Sequence, residues 1–174
     1  GGTTGMPKQR IGWNDYKVDY SEFSDGLADD HFPKNHYWLM VGPTGPRRLR
    51  LAIEHLATVR GCSCYFVDLD PPWVKRLIKE GQGDQAKAYM DHVVDQAVTI
   101  MTHRSVSAVF TTPKLLEAIA ERFEDDGSSL YEAGVRGVFC GGTTMDPQYT
   151  RFIVEELLEN KIGFVPIYGN TLMG

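Results

Sequence analysis

Apolar and polar positions alternate between two periods along this chain. Short β-rich runs give way to stretches with apolar residues three and four apart. The first run covers 36–41 and ends in Gly42-Pro43-Thr44-Gly45. Pro46 suits a first helical position. Leu49, Ala52, Ile53, Leu56 and Val59 then follow at helical spacing, and Gly61 can close that helix. The second run, 64–67, ends in Asp68-Leu69-Asp70-Pro71-Pro72. It predicts a short helix over 73–79, broken by Gly81-Gln82-Gly83. Asp84 reads as the N-cap of a long helix whose inner stripe is Met90, Val93, Val94, Ala97 and Met101.

The third run, 106–110, leads into Thr111-Thr112-Pro113-Lys114, with Thr112 as the cap. Leu115, Leu116, Ile119 and Phe123 face the core, and 124–129 is a polar surface loop. The fourth, 135–140, ends in Gly141-Gly142-Thr143-Thr144. Asp146-Pro147 opens a helix with Tyr149, Phe152, Ile153 and Leu157 inward. The fifth, 162–167, ends in Tyr168-Gly169-Asn170-Thr171, and Pro166 argues for an edge or strand-end position. Strands alternating with helices predict an α/β fold, a mostly parallel sheet with helices on both faces. Residues 12–34, aromatic and acidic, are expected to form a helix and long loop covering the sheet.

In such sheets ligands gather at the carboxyl ends of the strands. Each of those ends is small and polar here. Turns before helices need such residues anyway, but five of them together favour a nucleotide or similar polyanion. The opening stretch, Gly1-Gly2-Thr3-Thr4-Gly5-Met6-Pro7-Lys8, adds to this. Glycines let backbone N–H groups close around an anion, hydroxyls add donors, and lysine adds a point charge suited to phosphate. It is not a Walker A loop, which ends in Gly-Lys-Ser/Thr. A flexible terminus is the alternative reading.

Composition narrows the partners. The 174 residues are 42% hydrophobic and 24% charged, ordinary for one globular domain. A net charge of −5 argues against a nucleic-acid backbone as partner. No apolar run approaches the roughly 18 residues of a membrane span, and no signal peptide is present. Cys62, Cys64 and Cys140 read as free thiols of a reducing cytoplasm. Gly81-Gln82-Gly83-Asp84-Gln85-Ala86 fits a dinucleotide fingerprint on paper, yet follows a helical stretch and not a strand. His55, His92 and His103 lack metal spacing. Asp68 and Asp70 could cap a helix or face a pocket or ion.

Three stretches together resemble the adenylate-forming superfamily of acyl-CoA synthetases, aryl-CoA ligases and nonribosomal adenylation domains. Gly2-Thr3-Thr4-Gly5-Met6-Pro7-Lys8 resembles that family's phosphate loop. Phe139-Cys140-Gly141-Gly142-Thr143 is similar to its adenine-lining strand and turn. Tyr168-Gly169-Asn170-Thr171 looks like its Tyr-Gly-x-Thr-Glu motif, and order and spacing also match. The aryl-ligase-like branch, with phenylacetate activation and phenazine biosynthesis, is the nearest.

The resemblance implies ATP-dependent activation of a carboxylic acid as its acyl-adenylate, for transfer to CoA or a carrier protein. Lys8 and Thr171 would serve the chemistry. Thr3, Thr4, Gly5 and Lys8 would hold the β- and γ-phosphates, and Gly141, Gly142 and Thr143 the adenine site. Tyr168 would stack on the base beside Gly169, and Thr171 would reach the α-phosphate. ATP and Mg²⁺ are the implied cofactors. Leu172 stands where the motif has Glu, a Mg²⁺ ligand. Either another carboxylate substitutes, or ATP and water hold the ion, or turnover is lost. The family's ribose aspartate and mobile lysine domain find no match here. The resemblance therefore implies that residues 1–174 are an internal piece of a longer protein, 1–10 the phosphate loop and 36–174 the βα repeats, inactive alone. Acid, acceptor and oligomeric state are not readable.

Overall fold

A computed structural model describes residues 16–45 and 48–167. The expected sheet is present, with five strands, all parallel: β1 (Tyr37–Gly42), β2 (Ser63–Asp68), β3 (Val106–Thr111), β4 (Gly137–Gly141) and β5 (Gly163–Ile167). Their order across the sheet is β2-β1-β3-β4-β5. β3 is buried along its whole length and β1 everywhere except Tyr37, as central strands covered on both faces require. β2 and β5 are the edges and are only partly covered. Pro166, which has no N–H to donate, sits on β5 as expected.

Period-two alternation divides the core between the two faces. Trp38, Met40, Ala108, Phe110 and Phe139 point to one face. There they meet Ile53, Leu56 and Ala57 of α2 (Arg48–Val59). The covering segment is α1 (Tyr16–Asp25) followed by a loop that presses Leu27 and Phe32 onto the same cluster. Leu39, Val41, Val109 and Val138 point the other way. Their partners are α4 (Gly83–His103) and α5 (Pro113–Asp125). Two shorter helices are also among the described residues, α3 (Pro71–Lys79) and α6 (Pro147–Phe152), the latter running into a π-helical turn, Ile153–Leu157.

Arg60, 2% exposed just after α2, fastens the covering segment. Its Nε donates to the Phe32 carbonyl at 3.1 Å and its Nη1 to the Ser24 carbonyl at 2.8 Å. Its Nη2 donates to Phe32 as well and reaches Asp29 at 2.5 Å. Three donor nitrogens in one plane match these acceptors as a single ammonium could not.

The structure corrects several expectations. Leu49 and Val59 are exposed, at 42% and 44%, because the buried stripe of α2 runs through Ala52, Ile53, Leu56 and Ala57. Met90 is only partly covered. Asp84 is not the N-cap of α4. The helix starts at Gly83 with Gln82 before it, and Asp84 sits in the first turn, where a carboxylate still suits the helix dipole. Phe152 faces outward at 42% exposure, and Leu158, not Leu157, is fully buried. The π-helical turn explains the slip, since its wider loop inserts one residue into the helical phase.

Candidate functional site

The connection after β1 leads to β2 on one side, and every later strand is added on the other side. Helix α2 therefore covers one face while α4 and α5 cover the opposite one. The direction of strand addition reverses between β1 and β3, and a crevice opens at the carboxyl ends of the strands where that happens. The rim there consists of the Gly42-Pro43-Thr44-Gly45 turn, Asp68, Thr111-Thr112 and Gly141-Gly142-Thr143.

Asp68 and Asp70 play different parts. One Asp68 carboxylate oxygen accepts from Thr44 N at 2.7 Å, Thr44 Oγ1 at 2.9 Å and Gly45 N at 3.2 Å. It thus locks the neighbouring β1 turn and does not cap the helix that follows it. Asp70 is the cap, accepting from Trp73 N at 3.2 Å. Thr112 occupies the N-cap position of α5, but its hydroxyl makes no capping bond. Beside it the Thr111 hydroxyl is buried without a partner.

Gly141 and Gly142 are needed for different reasons. A Cβ on Gly141 would collide with the backbone of Ile167, its register partner on β5. Gly142 has φ 91°, and a Cβ there would already touch the Thr112 methyl at 3.4 Å. Side chains rarely adopt that backbone conformation. Thr143 is exposed beyond them. Ile167 is the last described residue of β5, and Tyr168 follows it in the chain. The remaining expected residues, Thr3, Thr4, Gly5, Lys8, Tyr168, Gly169 and Thr171, lie outside the described residues.

Behind this rim is a polar cluster that sequence reasoning misses. Glu117 of α5 accepts from the Tyr149 hydroxyl of α6 and from Lys114 Nζ at 2.9 Å. The Lys114 ammonium also lies 5.6 Å from the Tyr149 ring centroid, within reach of the negative face of the ring. Burial alone would raise the Glu117 carboxyl, but the hydroxyl and the ammonium together hold it below its ordinary value. Burial, reinforced by Glu117, keeps the proton on Tyr149. Burial and the same carboxylate push the Cys140 thiol up to about 12. The Lys114/Glu117 spacing on α5 is legible as an i,i+3 pair; the cross-helix partner is not.

The other candidates fall to structural roles. His55 Nε2 is 3.0 Å from Ser21 Oγ and 3.0 Å from the Lys17 carbonyl, joining α2 to α1. Gly81-Gln82-Gly83 links two helices, so it lacks the strand that a dinucleotide loop requires. Among the described residues no three His, Cys, Asp or Glu side chains cluster as a metal site would need. No described helix is long and apolar enough to cross a membrane. Two open hollows of about 310 and 330 Å³ lie at the opposite rim, where α4 and α5 end, the first lined by Asp95, Arg122 and Asp126 and the second by Met101, Phe123 and Asp126.

No family model and no curated protein matches this sequence. Solved structures do match its fold. An open conformation of 2-hydroxyisobutyryl-CoA ligase, in complex with 2-HIB-AMP and CoA, superposes with a TM-score of 0.63 at 12% identity; the match covers 94% of this chain and 31% of the ligase. The inhibitor-bound N-terminal domain of FACL13 from Mycobacterium tuberculosis gives 0.63 at 15% identity, covering 98% and 35%. The luciferase-like enzyme of the nonluminescent mealworm Zophobas morio gives 0.60 at 15%, covering 98% and 33%. The chain spans about a third of the length of these structures. At such identities the likeness is one of fold alone.

Proposed function

We propose that this chain is the nucleotide-binding part of an enzyme that activates an aryl or acyl carboxylic acid with ATP. A carboxylate oxygen attacks the α-phosphorus, the bond to the bridging oxygen breaks, and pyrophosphate leaves with its electron pair. The acyl-adenylate then passes its acyl group to CoA or a carrier. Catalysis of this kind rests on positioning and on neutralising charge. The 2-hydroxyisobutyryl-CoA ligase structure holds both an acyl-adenylate and CoA, which is the pairing proposed here.

One observation carries the reading. Gly141 closes against Ile167, Gly142 turns at φ 91°, and the chain runs on directly into Tyr168. This supports a base-binding wall made of the 141–143 turn with Tyr168 stacked beside it. Thr3, Thr4, Gly5 and Lys8 would hold the outer phosphates, Thr171 the α-phosphate, and Gly169 the turn between. Mg²⁺ does not fit the position the motif reserves for its ligand, because Leu172 has no donor atom. The ion would travel on the ATP phosphates, and no step is assigned to it. A second reading, binding of nucleotide or carboxylate without turnover, is favoured by that same leucine.

ATP–pyrophosphate exchange by the full-length protein, with a panel of aromatic and fatty acids, tests this. Acid-dependent exchange that falls at least about tenfold in Lys8→Ala and in Tyr168→Ala is the expected result. ATP binding without exchange selects the second reading. ATP binding untouched by either substitution overturns both.

A further inference from the structure

We infer that Tyr149 is a positioning residue for the nucleotide, its hydroxyl and Glu117 forming a clamp that holds the 141–146 turn in place. The inference rests on the function proposed above. It starts from an imbalance in α6. This helix has six residues and buries none of them, yet it anchors one end of the turn that would face the base. Asp146 Oδ1 accepts from Tyr149 N at 2.8 Å, and the Thr150 hydroxyl donates to the Asp146 carbonyl at 3.0 Å. Those bonds shape the first turn of the helix, while its far end continues into the π-helical turn and is held by the fully buried Ile153.

Attachment of that first turn runs through the Tyr149 side chain. Its hydroxyl donates to Glu117 on α5, a helix whose inner face is fully buried. Lys114 holds the other carboxylate oxygen at 2.9 Å and keeps Glu117 aimed. A hydrogen bond to an ionised acceptor is among the stronger kinds. The turn is therefore held at two ends, with Met145 resting against the core between them. At one end Gly141 is pressed on Ile167, and at the other Tyr149 is tied to Glu117. Thr143 and Thr144 between them are exposed. Releasing the second anchor leaves the sheet intact and frees only the turn. That change should weaken base binding and leave the acid site and the chemical step alone.

Two variants of the full-length protein test the clamp. Tyr149→Phe deletes the hydroxyl and keeps the ring; Glu117→Gln keeps an acceptor but loses the charge. In Tyr149→Phe, amide hydrogen exchange over 142–146 is expected to quicken about tenfold while β3 and β4 stay protected. In pyrophosphate exchange the ATP KM rises about 3- to 10-fold, with the acid KM and kcat at saturating ATP within about twofold of the parent. Glu117→Gln moves each readout less. An unchanged turn, or a loosened turn with an unmoved ATP KM, overturns the inference alone. A parent protein that exchanges pyrophosphate with no acid overturns the function beneath it, and the inference with it.

Discussion

Replacing Arg60 with methionine probes what holds the covering segment to the sheet. Methionine keeps the length and apolar stem of arginine but brings no donor. The Ser24 and Phe32 carbonyls would lose the guanidinium that now satisfies them, and the site, 2% exposed, gives water little room to replace it. The Ser24 carbonyl keeps the Leu27 N–H at 3.2 Å, so one buried acceptor, the Phe32 carbonyl, is orphaned at about 1–3 kcal/mol, and about 2 kcal/mol is the expected loss. Asp29 adds little, because its carboxylate is 61% exposed and well screened. With a urea slope of about 2 kcal/mol per molar, the midpoint followed by far-UV circular dichroism falls by about 1 M. Amide exchange should quicken first over 24–36. Arg60→Lys can serve only some of these acceptors and should fall between the two. Asp29→Asn should leave the midpoint near that of the parent. A midpoint shift under about 0.5 M in Arg60→Met would refute the reasoning, since it would mean that the Phe32 carbonyl finds another donor at no cost.

Phe139→Ala removes the ring stacked 4.0 Å from Phe110 and 4.5 Å from Phe32. A loss of about 3–5 kcal/mol in unfolding free energy is expected from calorimetry or urea titration. Cys140 is fully buried with its thiol pushed up to about 12, so a disulfide reagent at neutral pH should label it only after unfolding. The Glu117 carboxyl is depressed below its ordinary 4.5 on folding. Its contribution is therefore complete above that value and is lost as pH falls through the lower folded value. Glu117→Gln should accordingly lower stability near neutrality and flatten the acid limb of a stability–pH curve, so that the parent and variant curves converge at low pH.

The architecture is legible because β1 and β3 are covered on both faces, which forces unbroken apolar runs that stand out against the polar turns. Helix faces are less so. Periodicity marks Leu49 and Val59 as apolar positions, but only packing decides that α2 turns them to solvent. The slip from Leu157 to Leu158 follows from a π-helical turn that leaves no mark in composition. At the site, glycines and hydroxyls at strand ends are legible because backbone geometry demands them. The Glu117–Tyr149 pair is not, since 32 residues separate its members and only the docking of α6 beside α5 brings them together.

The strand order also dictates how the sheet can be assembled during synthesis. Among the five described strands, β1 and β2 emerge before the others and can join as a pair; β3, β4 and β5 then attach one after another along the same advancing border. No strand has to be threaded between two that are already joined. A ladder of nascent chains ending after successive strands should therefore gain protease resistance in steps, and earlier strands should not lose protection as later ones arrive. Of the five described strands the last to dock is the one that leads into Tyr168, so the wall proposed for the base would be completed only after the other four are in place.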